Sequence, residues 1–176
     1  ALLNYVGSSK TDTITGGVAA EIFTMTAGDD TIDGGAGTNK VDTFNSAIVA
    51  DTGSAVSVVI NLGSSDVTAT EILSKTGYRT ATDSVSKAGS ASSLFNDTIS
   101  TNDASVTTLS NIEKVVGTTG KDYIVASSTG TTIDGGAGAD YIKLGSSVDT
   151  VILGNVATTD TIANFQVAAG GDVIDF

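Results

Sequence analysis

A large apolar residue recurs every nine positions in two separate stretches of the chain, and this period constrains the fold more than any other feature. Counting in nines from Gly7 gives units 7–15, 16–24, 25–33 and 34–42. Counting from Gly117 gives 117–125, 126–134, 135–143 and 144–152. The eighth place holds Ile14, Phe23, Ile32, Val41, Ile124, Ile133, Ile142 and Val151. The sixth holds Asp12, Glu21, Asp30, Asn39, Asp122, Thr131, Asp140 and Asp149. Only Thr131 among these lacks a strong oxygen ligand. A glycine pair opens the units at 16, 34 and 135.

Such a unit reads as a short strand that carries one apolar residue inward, followed by a glycine-rich turn. Glycine suits the turn because it takes positive φ without steric cost. Two nine-residue units make one flattened coil, and successive coils stack as parallel strands about 4.8 Å apart. Residues two units apart then become neighbours, Asp12 with Asp30 and Asp122 with Asp140. Calcium takes oxygen ligands at about 2.3–2.6 Å. An ion between two carboxylates stacked about 4.8 Å apart therefore touches both, and turn carbonyls complete its shell. Asp12/Asp30 and Asp122/Asp140 are the expected sites. The rows Glu21/Asn39 and Thr131/Asp149 have each lost one Asp and are weaker. The glycines expected to frame the ions are Gly28, Gly34, Gly35, Gly37, Gly117, Gly120, Gly135, Gly136 and Gly138. Asp and Gly are common in any turn, so one unit alone would carry none of this. Eight units in register do.

The chain of 176 residues reads as one domain, 1–176, with only nine aromatic residues and no Trp. A thin core of Ile, Val, Leu and Ala follows, of the kind repeat proteins build. The formal net charge of −12 argues against nucleic acid and against anionic membrane surfaces. It favours cations, because stacked carboxylates repel without counter-ions. His and Cys are both absent. That leaves no Ser-His or Cys-His activation, no common zinc site and no disulfide. Ser8 and Lys10 read as a solvated turn. Gly28-Asp29-Asp30 and the Gly-Gly turns lack the Lys-Ser/Thr of a phosphate loop. No enzymatic activity is expected. An ice-binding face is not expected either, because Lys40, Tyr123 and Tyr141 interrupt the seventh-place threonines. No apolar run is long enough for a transmembrane helix. Ala1-Leu2-Leu3-Asn4 is too short and uncharged for a signal peptide, and without an initiator Met the chain reads as a processed product or an excised fragment.

Residues 43–116 leave the nine-residue register. Val56, Val58, Ile60 and Leu62 alternate onto one face before Gly63. Val106, Leu109, Ile112, Val115 and Val116 mark a second apolar stretch. Both read as irregular coils that continue the stack without calcium. Residues 64–105 read as an excursion that offers a binding or assembly surface. It carries one or two helical turns at Ala69–Lys75, a surface loop from Ser84 to Ser93, and a strand core at Asn96-Asp97-Thr98-Ile99, which also fits a glycosylation sequon. Residues 153–176 read as a cap. Phe165 and Phe176 are expected to cover the last coil, and Asp160 and Asp172 to bind a further ion.

The units Gly34-Gly35-Ala36-Gly37-Thr38-Asn39-Lys40-Val41-Asp42 and Gly135-Gly136-Ala137-Gly138-Ala139-Asp140-Tyr141-Ile142-Lys143 resemble the nonapeptide G-G-x-G-x-D-x-U-x of the RTX (repeats-in-toxin) family. Ser110 to Gly117 resembles a segment that leads into RTX rolls. Asp160-Thr161-Ile162-Ala163-Asn164-Phe165 and Gly171-Asp172-Val173-Ile174-Asp175-Phe176 resemble their ending. The resemblance implies an all-β, right-handed parallel β-roll (a β-solenoid) with an irregular middle and Ca2+ as its bound ion. It also implies type I secretion from a Gram-negative bacterium and folding outside the cell. The Thr-, Ser-, Ala- and Val-rich make-up looks most like the family's surface-layer (S-layer) proteins and adhesins. The expected role is that of a calcium-dependent structural domain of a secreted S-layer protein at the cell surface. The alternative is the C-terminal calcium-binding secretion module of an RTX adhesin or exoenzyme. Expected partners are calcium ions, further copies in a surface lattice, and a cell-surface polysaccharide. Glu21, Asn39 and Thr131 depart from the family Asp, and units 7–15 and 144–152 lack the double glycine.

Overall fold

The computed structural model describes residues 3–24, 26, 28–42, 57–80, 86–95, 106–154 and 158–176. The first repeat block supplies β1 (Leu3–Val6), β2 (Thr13–Thr15), β3 (Glu21–Thr24), β4 (Thr31–Asp33) and β5 (Lys40–Asp42). The middle supplies β6 (Ser57–Asn61), helix α1 (Ala69–Thr76), β7 (Arg79–Thr80) and β8 (Ser90–Phe95). Then come β9 (Val106–Ser110), β10 (Lys114–Val116), β11 (Tyr123–Val125), β12 (Thr132–Asp134), β13 (Tyr141–Lys143) and β14 (Thr150–Ile152). β15 (Thr161–Ala163) and β16 (Val173–Asp175) close the chain. The fold is thus mostly β, with one short helix among the described residues.

These strands form two sheets, and consecutive strands of the repeat blocks alternate between them. One sheet runs β1-β3-β5-β10-β12-β14-β16 and the other β15-β13-β11-β6-β8-β9-β4-β2, with β7 beside β8. Pairing is parallel except around β8, which is antiparallel to β6, β7 and β9. The eighteen-residue register holds: Thr13 pairs with Thr31, Ile22 with Lys40, Tyr123 with Tyr141 and Thr132 with Thr150.

That register puts the eighth-place residues inside. Phe23, Ile32, Ile124, Ile133, Ile142 and Val151 are buried in one cluster, with Ile14 packed against it. The cluster draws on both sheets, so it is the layer in which they meet. Fully burying one such side chain contributes about 1.5–3 kcal/mol. The side chain of Val41 lies outside the described set. Tyr5 extends the pattern upstream, stacked on Phe23 with ring centroids 5.3 Å apart.

The middle departs from expectation in three ways. Its last part is regular: β9 and β10 pair in parallel with β4 and β5. Counting back one unit from Gly117 shows why, since Thr108–Val116 puts Glu113 in sixth place and Val115 in eighth. Second, β6 and β8 enter only one sheet, between β9 and β11, whereas β5, β10 and β12 are adjacent in the other. Val58 and Ile60 face the shared core as expected. Val59, on the opposite side, joins Val67, Ile72, Tyr123 and Val125 in a second cluster under α1. Third, the expected loop at Ser84–Ser93 is corrected: Ser90–Phe95 is strand, with Ser90, Ala91 and Ser92 buried. Their side chains are small enough for a strand enclosed by β6 and β9. The C-terminal cap departs as well: Phe165 packs on the core but Phe176 is 96 % exposed, so it does not cover the last coil. The pairing of β16 with β14 ends at Asp175, one residue too early to hold it. The expected helical turns are present as α1, capped by Thr68 and Gly77. Val56 and the Asn96–Ile99 segment with its sequon lie outside the described residues.

No helix among the described residues is long and apolar enough to cross a membrane.

Candidate metal centre

The sixth-place side chains stand in two columns, one above another from coil to coil. One column is in two parts, Asp12 and Asp30 on one side of β9, β8 and β6, and Asp122, Asp140 and Asp160 on the other. The other contains Glu21, Asn39, Glu113, Thr131, Asp149 and Asp172. One rule recurs in both. The side chain accepts the backbone N–H of the sixth-place residue one coil earlier, except that Asp122 Oδ1 accepts the Val58 N–H at 2.8 Å and Thr131 accepts from its own turn. Asp12 donates to Asp30 Oδ1 at 2.9 Å, Asp122 to Asp140 Oδ1 at 2.9 Å, and Asp140 to Asp160 Oδ1 at 3.0 Å. In the second column Asn39 donates to Glu113 Oε2 at 2.7 Å, Thr131 to Asp149 Oδ1 at 2.7 Å, and Asp149 to Asp172 Oδ1 at 2.9 Å.

The turn supplies a second donor, usually from four residues back. The N–H of Ser8 reaches Asp12 Oδ2 at 2.6 Å, that of Thr118 reaches Asp122 Oδ2 at 2.6 Å, and that of Gly145 reaches Asp149 Oδ2 at 2.8 Å. Thr131 accepts the Ser127 N–H through its hydroxyl at 2.9 Å and so fills the same role without charge. Sequence reasoning names acids that the structure places in these columns, Asp160 and Asp172 included. It misses Glu113, which the count back from Gly117 would have found. It also misses that backbone N–H groups, and not carboxylates alone, meet in each column.

Asp140 departs from the rule. Its Oδ2 is buried without a hydrogen-bond partner, as is Glu21 Oε2 in the other column. Asp122 and Asp140 are 0 % and 2 % exposed. Burial pushes the Asp122 carboxyl up to about 8, against the pull of the Thr118 N–H and with a further push from the charge of Asp140. Burial likewise pushes Asp140 up to about 7, against the pull of the Asp122 N–H, and the charges of Asp160 and Asp134 add to the push. Burial also raises Asp30 and Asp149. Two ion pairs occur among the described residues, Lys87–Asp66 and Lys143–Glu71, and neither reaches a column.

The glycines leave room for these oxygens. A Cβ on Gly135 would lie 2.5 Å from Asp140 Oδ2, and one on Gly117 2.5 Å from Asp122 Oδ2. Gly34 is likewise closed off, here first by the Asn111 carbonyl and then by the Asn39 side chain at 2.8 Å. Gly28, Gly35, Gly37, Gly136 and Gly138 adopt positive φ, and Gly120 donates to Thr118 Oγ1 at 3.1 Å.

These residues fit a divalent cation best at Asp122/Asp140. Two acids are buried together there, one oxygen lacks a donor, and no ammonium among the described residues pairs with them. Asp12/Asp30 fits less well, because Asp30 Oδ1 and Oδ2 accept from the Asp12 N–H and the Thr26 hydroxyl. Among the described residues no group of three or more acidic side chains converges on one point, so each candidate site is a carboxylate pair completed by backbone. No family model matches the chain, and no curated protein matches it.

Proposed function

We propose that the chain is a right-handed parallel β-roll and a calcium-ordered, non-catalytic structural domain of a secreted bacterial S-layer protein. The observation that carries this is the buried, unpartnered Asp140 Oδ2 beside buried Asp122. Asp122 and Asp140 hold the ion, with backbone of the Gly117 and Gly135 turns around them. Bound calcium supplies the positive charge that this column lacks. Extracellular calcium modules bind at about 10⁻⁴–10⁻³ M, which suits a chain that stays unfolded in a calcium-poor cytosol and orders at the cell surface.

Self-association into a lattice draws support from the ends of the sheets. β1, β2, β15 and β16 each have one edge unpaired among the described residues. Leu3, Val6, Val173 and Phe176 are exposed on or beside these strands. Open edges of this kind invite further strands. Further copies, and a polysaccharide of the cell surface, are the partners proposed.

The test is far-ultraviolet circular dichroism during calcium titration, with magnesium as control and light scattering on the same samples. A calcium-specific gain of β signal followed by growth in particle size is expected. A chelator-resistant fold without a calcium response overturns the metal assignment. A calcium-ordered monomer at high concentration overturns the lattice role and leaves the alternative, a secretion module.

A further inference from the structure

Helix α1 belongs to the excursion, yet it rests on the outer side of the two coils that carry Asp122 and Asp140. The next residues, Tyr123 and Tyr141, point the opposite way from those acids and stack with ring centroids 5.1 Å apart. Tyr123 is fully buried under the helix beside Ile72. One oxygen of Glu71 ties the coils together. Glu71 Oε1 accepts the Tyr123 hydroxyl at 2.6 Å and the Lys143 ammonium at 3.2 Å. Tyr123 lies in β11 and Lys143 in β13, which are neighbouring strands. Lys75, one turn on, sits 5.0 Å from the centroid of the Tyr141 ring.

We infer that α1 is a clamp that holds the Asp122 and Asp140 coils in register through Glu71, so that docking of the excursion and cation binding reinforce one another. The coupling rests on the calcium reading above. The clamp itself stands on contacts that need no ion. Asp122 and Asp140, which the ion would join, immediately precede β11 and β13, the two strands that the helix joins through Tyr123 and Lys143. Whatever calcium does for docking, docking must do for calcium, since coupling between sites is reciprocal. Glu71 is thus a positioning residue that touches no ion.

The experiment is a calcium titration of the full chain, followed in the near ultraviolet by the Tyr123/Tyr141 stack. Its companion readout is limited proteolysis of the excursion. Glu71→Ala should raise the calcium midpoint roughly three- to tenfold, because only the part of the lost hydrogen bond that couples docking to the ion reaches the midpoint. Glu71→Gln, which still accepts from Tyr123, should fall between. Asp66→Asn, which breaks the exposed Lys87 pair elsewhere in the excursion, should leave the midpoint in place. An Ala midpoint within twofold of wild type, or no larger than that of Asp66→Asn, overturns the clamp. If Glu71→Ala does not fold, Glu71→Gln decides on the same criterion. If wild type shows no calcium response, the calcium reading fails by itself and urea unfolding judges the clamp. Coincident near- and far-ultraviolet transitions that separate in Glu71→Ala support it, and transitions that stay coincident overturn it.

Discussion

Asp140 receives the Asp122 N–H on one oxygen and nothing on the other. A carboxylate so placed favours its proton when no cation is near. The folded-state values of about 8 for Asp122 and about 7 for Asp140 lie above the ordinary 3.8. Between those limits the folded chain binds more protons than the unfolded one, so stability falls as pH rises. The contribution is complete below about pH 4 and lost as pH climbs through the folded values. With chelator present, urea midpoints should therefore be higher at pH 5 than at pH 8. With calcium present the order should shrink or reverse. Asp140→Asn should narrow the pH difference and weaken the calcium response together, and a variant with both unchanged would refute the pairing. Gly135→Ala tests the same oxygen from the turn side. Its Cβ would crowd Asp140 Oδ2, so a loss of about 1–3 kcal/mol in urea unfolding is expected. The Asp pairs were legible because an eighteen-residue register fixes neighbours whatever lies between. Glu113 was hidden because Thr108–Val116 contains no glycine to mark its turn.

Among the elements, β8 was the hardest to foresee. Strand signals rest on large β-branched and aromatic residues, and Ser90-Ala91-Ser92-Ser93 has none. What makes it a strand is tertiary: β6 and β9 offer it partners on both edges. Ala91→Leu separates the two readings. A surface loop would absorb it within about 0.5 kcal/mol, whereas an enclosed strand with Ala91 at 0 % exposure should lose about 1–3 kcal/mol by overpacking. α1 was legible because its ends are signalled. The Thr68 hydroxyl accepts the Glu71 N–H at 3.2 Å, and Gly77 closes the helix at φ 77°. Thr68→Ala should cost about 1 kcal/mol, read by thermal unfolding of the excursion.

At the scale of the whole molecule, the chain joins one thin core to a large excess of negative charge, −12 in all. Monovalent salt screens exposed charge over about 8–10 Å at physiological strength but reaches a buried pair poorly. Sodium chloride should thus raise the chelator-state melting temperature only modestly, whereas calcium at far lower concentration should raise it much more. Equal effects at equal ionic strength would assign the response to screening and not to a site. The general layout, parallel strands in a repeating register, was legible from the period. The unequal sheets were not, because no local signal says that β6 and β8 enter one sheet while β5 and β10 close up in the other.

That inequality also bears on the order in which the chain acquires its structure. Asp122 meets Asp140 across 18 residues, but Asn39 meets Glu113 across 74, Asp29 meets Val106 across 77 and Val58 meets Asp122 across 64. Each doubling of a closed loop costs only about 0.6 kcal/mol more, yet distant pairings still slow folding, because that cost falls due before they reward it. Residues 7–42 and 117–152 can therefore each wind up on their own neighbours, and the joining of the two blocks must wait for the middle to fold back. A chain built this way starts from two separate seeds and closes the seam between them last.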